Sequence, residues 1–461
     1  MFIGRERELL SLQERYDNGK FHFFAIYGRR RVGKTALIKE FIKGKKAIFF
    51  SANEVTAKDN LEELSAQIRA VLGPDFPKVP FSSFKEAFSF VFERASNERM
   101  IFVIDEYPYL AESYRGVSSY LQHLIDEHHQ DNKLFLILCG SSMSFMEYQV
   151  MGYKSPLYGR RSGQLKMRPF DYIKSAEFLK GFDNKDKIIL YSITGGIPEY
   201  LKQIDCSLSV KENVEKLFFT EDGRLFEEPS NLLKQELREP QTYNSIVSAI
   251  SEGRTKLNEI ATRVGIETSQ CSNMLVNLIN LGLVRKEIPI TESITSKKTI
   301  YYLNDFMFVF WYRFVRPNLN RIILEQGNKV CDEVFSKQLS SHVGFIFEAC
   351  TRQYMWQLMR EGKIYFKDIG RWWGNNPKLK QEEEIDFIAV DEERAIFGEC
   401  KWQERLTSED VLNELVRKSE LLTKFTDCRY MLFSKSGFTV GLTARAKEDE
   451  RVRLVGVDDM F

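Results

Sequence analysis

The residues whose spacing carries the most chemistry are Gly28-Arg29-Arg30-Arg31-Val32-Gly33-Lys34-Thr35. Glycines let such a loop wrap a phosphate chain with its N–H groups pointing inward, and the following helix N-terminus adds partial positive charge. Lys34 is expected to reach the β- and γ-phosphates, and the Thr35 hydroxyl to ligate Mg²⁺. Gly28, Val32, Gly33, Lys34, Thr35 and Ala36 are the expected contacts to ATP. The three loop arginines read as surface or packing residues. An apolar run over 101–104 then ends in Asp105-Glu106. Asp105 is expected beside the magnesium, and Glu106 is placed to orient or deprotonate an attacking water.

A further apolar run over 134–139 ends at Gly140-Ser141-Ser142. Ser141 or Ser142 either bridges the γ-phosphate and the water or is a turn serine. In Tyr158-Gly159-Arg160-Arg161, Arg160 or Arg161 is either an arginine finger, in cis or from a neighbouring subunit, or part of a solvated basic loop.

A second group lies far along the chain. Glu399 and Lys401 are two apart on an expected strand, so both project to one face. Asp386 sits near the start of the preceding strand and Glu348 on an upstream helix. Carboxylates are hard ligands suited to Mg²⁺ or Mn²⁺, with Asp386 and Glu399 as the expected pair. A cation there would polarise a phosphodiester, and Lys401 would position water or stabilise developing charge.

These residues need elements to hold them. Strands are expected over 21–27, 47–51, 100–104 and 134–139, with a helix over 35–43. Strands alternating with helical stretches imply an α/β fold with a parallel sheet covered on both faces. From 169 to about 229 the pattern is helical. Helices are then expected over 243–251, over 256–264 capped by Thr255, and from a cap at Thr268 or Ser269 to near Gly282. Strands over 283–286 and 299–303 complete a winged helix-turn-helix. Its third helix carries Ser269, Gln270, Ser272, Asn273 and Asn277, which suit DNA contact, although internal packing is an equal reading. A helix over 345–359 and strands over 382–390 and 395–402 open the last section. The domains read as 1–168, 169–230, 231–335 and 336–461.

At 461 residues the chain has room for about three domains by length alone. With 66 Lys+Arg against 65 Asp+Glu, its net charge of +1 excludes a globally basic nucleic-acid coat, not local patches. The 7 Cys are scattered without a C-x-x-C pair, and the 5 His lack ligand spacing, so neither a disulfide framework nor a zinc site is expected. His128-His129 reads as a helix end. The start is charged by Arg5, and no apolar run approaches ~20 residues, so a cytoplasmic chain without a membrane span is expected.

Phe2-Ile3-Gly4-Arg5-Glu6, the phosphate loop, Ile104-Asp105-Glu106 and Gly196-Ile197-Pro198 together resemble the archaeal ATPase group, in the AAA+/STAND branch of P-loop ATPases. The resemblance covers roughly the first 230 residues. It implies ATP hydrolysis, a helical lid, and a place near the adenine for Phe2, Gly4, Arg5 and Pro198. The aromatic stretch over 305–315 resembles a segment that precedes the C-terminal domain in that group. Asp386, Glu399, Lys401 and Glu348 resemble the PD-(D/E)xK nuclease superfamily, with Ile385 where some members have proline. That implies a restriction-endonuclease-like α/β domain, acting on DNA or binding nucleic acid or protein without cutting. A homo-oligomer is also compatible with the ATPase resemblance.

Overall fold

The computed structural model describes residues 2–73, 79–293 and 295–461, and the chain forms two compact units. The first comprises 1–169 with the short insertion Ile197–Glu199. Its sheet contains β1 (His22–Tyr27), β2 (Ala47–Ser51), β3 (Met100–Asp105), β4 (Leu134–Gly140) and β5 (Gly163–Lys166). The strands run parallel in the order β2-β3-β4-β1-β5. β3 and β4 are buried throughout, as runs such as Met-Ile-Phe-Val-Ile require when both faces are covered. Phe102 packs on Phe88 at 5.8 Å and Phe41 on Phe135 at 5.5 Å. Burying each such ring contributes roughly 1.5–3 kcal/mol. β5 was not expected: it is four residues long, alternates in exposure and closes one edge beside β1.

The second unit holds 170–196 and 200–461. It begins with helices that include Asn184–Thr194, Val210–Phe218 and Glu228–Glu236, the second opened by a Ser209–Glu212 capping box. Three more follow, Pro240–Ser251, Leu257–Val264 and Thr268–Asn280, then an antiparallel hairpin of β6 (Val284–Glu287) and β7 (Ile300–Leu303). The expected caps are shifted. Lys256, not Thr255, is at the second helix's N-cap, where Glu259 accepts its N–H at 3.4 Å. Glu267 precedes the third, leaving Thr268 inside it. Gly265 ends the second helix at φ 77°, a left-handed turn that favours glycine.

The aromatic stretch after β7 is buried packing. The Trp311 indole donates to Phe226 O at 2.6 Å and the Tyr312 hydroxyl to Asn244 Oδ1 at 2.6 Å. Among the described residues no helix is long and apolar enough to cross a membrane.

The chain ends in a second five-stranded sheet: β8 (Asp368–Asn376), β9 (Gln381–Asp391), β10 (Arg394–Lys401), β11 (Asp427–Ser434) and β12 (Val452–Gly456). β8, β9 and β10 form an antiparallel meander, while β11 and β12 run parallel to β10. The parallel steps require crossovers, supplied by the helices Glu409–Ser419 and Val440–Glu448. The helix expected over 345–359 extends over Leu339–Arg360.

Candidate functional site

The first unit converges its polar residues at the carboxyl ends of its strands. β1 delivers the loop that wraps from Gly28 to Gly33, and the helix Lys34–Ile42 follows directly. Gly28 is required here. At φ 153° its missing Cβ would sit 2.5 Å from Met167 O. The Lys34 ammonium donates to Gly28 O at 2.8 Å and Arg29 O at 3.1 Å, which holds it within the loop. The Thr35 hydroxyl donates to Asp105 Oδ2 at 2.8 Å, so the two expected Mg²⁺ ligands meet although 70 residues apart. Both are hard oxygens, a donor set that fits Mg²⁺.

β4 lies between β1 and β3 and ends at Gly140, just before Ser141. The Ser141 hydroxyl and N–H donate to Glu106 Oε2, at 2.9 and 3.2 Å. Of the two candidate serines, Ser141 makes this bond. Glu106 is left-handed at φ 48°, which turns the chain between β3 and the next helix.

Pro198 lies against the loop, its Cγ 3.8 Å from where a Gly33 Cβ would be. Val32 is fully buried, whereas Ala36 is exposed. Phe2 is half-buried, and Gly4 is buried in a left-handed turn. Arg5 is structural in its contacts: it donates to Val32 O at 3.2 Å and Arg168 O at 2.6 Å, and pairs with Glu8 at 3.1 Å. It thereby ties the N-terminal segment to the phosphate loop. Arg160 makes a two-pronged ion pair with Asp126, 2.7 Å on each prong, and Arg161 donates to Met151 O at 3.3 Å. Arg30 donates to the Tyr109 hydroxyl at 2.7 Å, a packing role as expected.

In the second unit, the antiparallel pairing of β9 with β10 brings Asp386 beside the Glu399–Lys401 strand end. Asp386 Oδ2 accepts the Cys400 N–H at 2.7 Å. Lys401 Nζ lies 2.6 Å from Glu399 Oε1. Burial, reinforced by the Glu399 and Glu348 carboxylates, pushes the Asp386 carboxyl well above the usual carboxylate range. For Lys401 burial acts to lower the ammonium's pKa, but Glu399, with help from Asp386, makes the net shift upward. Glu348 is raised by burial against the opposing pull of Arg371 and Arg352.

Glu399 Oε2 is buried without a hydrogen-bond donor, which fits a cation ligand. Among the described residues no three His, Cys, Asp or Glu side chains form a group able to hold a metal ion. Two carboxylates completed by water and phosphate oxygens is nonetheless a usual Mg²⁺ arrangement.

Sequence reasoning missed Lys418, whose Nζ is 4.0 Å from Glu399 Oε2, and Arg352 and Arg371 beside Glu348. Arg352 had a local signal, being four residues after Glu348 on one helix face. Lys418 reads from sequence as a cation in a last helical turn, and Arg371 lies on a strand that was not expected. On the third helix before the hairpin, Ser269, Gln270 and Asn273 are exposed and Ser272 half-buried, whereas Asn277 donates to the Tyr243 hydroxyl at 2.7 Å.

A parallel β2-β3-β4-β1-β5 sheet with a glycine-framed loop after β1 and Asp-Glu after β3 defines a P-loop ATPase. The family described as an ATPase domain predominantly from Archaea matches residues 2–204, and one of archaeal and bacterial proteins of unknown function matches 311–418. An uncharacterised protein of Methanocaldococcus jannaschii is 34% identical over 429 residues, 92% of each chain. Residues 2–204 are a domain of this archaeal ATPase family, the chain as a whole belongs to one family with the Methanocaldococcus protein, and it is an ATP-binding P-loop ATPase. An uncharacterised ATP-binding protein of the same organism is 48% identical over 46 residues, 10% of this chain and 78% of that one. Among solved structures, a Walker-type ATPase of Pyrococcus abyssi shares the fold at TM-score 0.51 and 22% identity, covering 68% of this chain and 96% of that one.

Proposed function

We propose that the chain is a Mg²⁺-dependent ATP-hydrolysing switch of the AAA+/STAND kind, coupled to a DNA-binding domain that cleaves DNA with the help of a divalent cation. Its working parts are an ATPase core over 1–168, a helical lid over 169–230, a winged helix-turn-helix over 231–335 and a nuclease-like domain over 336–461. Lys34 and the loop N–H groups bind the triphosphate. Thr35 and Asp105 would hold Mg²⁺, which supplies neutralisation of phosphate charge. Glu106 takes the proton of the water that attacks the γ-phosphorus as the bond to the ADP oxygen breaks. Ser141 orients Glu106 through the 2.9 Å bond. Arg160 or Arg161 serves as a finger only after leaving its present partner.

The distal reading rests on one observation: Asp386, Glu399 and Lys401 meet where two paired strands adjoin. Asp386 and Glu399 would hold Mg²⁺ or Mn²⁺, which supplies Lewis acidity toward a phosphodiester. Lys401 stabilises charge that develops on the phosphate oxygens. The meander followed by parallel crossovers, with Glu348 on the opening helix, supports the nuclease resemblance.

A second reading is a nucleotide-gated scaffold whose nuclease-like domain binds DNA or protein without cutting. The Lys401–Glu399 ion pair and the lack of a three-ligand group among the described residues favour it. One experiment separates them. Wild type is expected to hydrolyse ATP with Mg²⁺ and to nick plasmid or branched DNA with Mn²⁺. Lys34→Ala should abolish the first activity, and Asp386→Ala and Lys401→Ala the second. Binding of DNA without cleavage across several metals and DNA structures would favour the scaffold.

A further inference from the structure

The β6–β7 hairpin meets the distal site most directly through Arg371 of β8. The contact is double. Through the backbone, the Ile290 N–H just beyond β6 donates to Arg371 O at 2.9 Å, and the Ile290 side chain covers Gly370, where a Cβ would lie 3.3 Å from it. Through its side chain, Arg371 is shared among three carboxylates: Glu384 at 3.2 Å, Glu348 at 3.5 Å and hairpin-borne Glu287 at 3.7 Å. The guanidinium also lies over the Tyr302 ring of β7, 5.4 Å from its centroid.

Its neighbours follow the same pattern. Arg285 on β6 is 3.0 Å from the other oxygen of Glu287, and Arg352 is 4.0 Å from Glu348 while donating to Asp386 O at 3.2 Å. Arg371 Nε and Nη1 and Glu287 Oε2 are buried, yet none makes a hydrogen bond. The guanidinium, only 9% exposed, is therefore held toward Glu287 and Glu348 by charge rather than by directed bonds. Removing one of the carboxylates redistributes it toward the others.

We infer that Glu287, through Arg371, sets how much negative charge Glu348 presents to the divalent-cation site, so that the hairpin is a positioning part of that site. This rests on the reading of Asp386 and Glu399 as cation ligands. Loss of the Glu287 charge turns Arg371 more fully onto Glu348 and adds net positive charge near the cation. The cation then binds less well.

The test is a titration of Mn²⁺ alone into the nucleotide-free full chain, read by the electron-spin signal of free Mn²⁺, with a thermal melt of each variant. Glu287→Gln is expected to weaken Mn²⁺ binding on the order of tenfold, within the usual range of site coupling. The same substitution in an Arg371→Gln background should have no further effect. Glu287→Asp, which keeps the charge, should bind Mn²⁺ as wild type does even if the glutamine variant melts early. Equal affinity in wild type and Glu287→Gln, or an equal loss in both backgrounds, overturns the coupling. If Asp386→Asn abolishes Mn²⁺ uptake while Glu287→Gln is silent, only the hairpin's role falls. If Asp386→Asn changes nothing, the cation site falls and the coupling with it.

Discussion

Glu106 combines two features that a passive surface carboxylate rarely has together. Its backbone is left-handed at φ 48° without being glycine, and its Oε2 accepts two N–H or O–H bonds from Ser141. Such strain persists where surrounding contacts over-determine it, and it is common at functional sites. Replacing only the proton-accepting oxygen should therefore separate binding from chemistry. Glu106→Gln is expected to bind ATP within about threefold of wild type while hydrolysing it roughly 10²–10⁴-fold more slowly, the span general-base loss usually covers. Nucleotide fluorescence and phosphate release measure the two, and an unchanged hydrolysis rate would remove Glu106 from the mechanism. At this scale the legible residues were those whose chemistry is written locally. The phosphate loop is contiguous, and Asp105-Glu106 ends an obvious strand. What stayed hidden was partner choice across distance. Nothing local pairs Arg160 with Asp126, 34 residues away, or sends Arg5 to carbonyls at Val32 and Arg168.

Elements were legible where burial imposed one pattern and obscure where neighbours decided. β3 and β4 are continuous apolar runs, but their order in the sheet is a packing outcome, and only that order puts Ser141 beside Glu106. β5 and β8 have mixed composition and were missed. Gly398 shows a signal that was readable only afterwards. It faces Phe387 across the β9–β10 pair, and a Cβ there would fall 2.0 Å from the ring. The glycine thus lets the strands bearing Asp386 and Glu399 close on each other.

The helix Leu339–Arg360 carries an acid-sensitive residue at its buried end. His342 is fully buried between Phe310 and Phe314, and its Nε2–H donates to Ser192 O at 2.9 Å while Nδ1 has no partner. Burial lowers its pKa from 6.5 to about 4. The unfolded chain therefore binds a proton first as pH falls. The stability tied to neutral His342 is complete above pH 6.5 and is lost progressively toward pH 4, roughly 3 kcal/mol in all. His342→Gln keeps an N–H donor but does not titrate. The melting-temperature advantage of wild type over this variant should shrink between pH 6.5 and 4, and a constant difference would refute the assignment.

For the whole molecule, the question is whether two separately built sites on one chain share free energy. Each is assembled from its own sheet: Lys34, Thr35, Asp105, Glu106 and Ser141 in the first unit, and Asp386, Glu399, Lys401 and Glu348 in the second. A switch is more than two activities in tandem. If ATP changes affinity for DNA by some factor, linkage requires DNA to change affinity for ATP by the same factor. Neither side of that equality is measurable while ATP is being hydrolysed or DNA cut. The Glu106→Gln/Asp386→Asn double variant is expected to retain both ligands while stopping both reactions. Its DNA affinity with and without ATP, and its ATP affinity with and without DNA, should shift equally, by about 5–150-fold if the coupling is of ordinary size. The near-neutral net charge makes this comparison cleaner, because a diffuse basic field that ignores nucleotide state would contribute little to the proposed DNA affinity. Two factors of one would mean that ATP hydrolysis and the distal site work independently, and the word switch would no longer describe this chain.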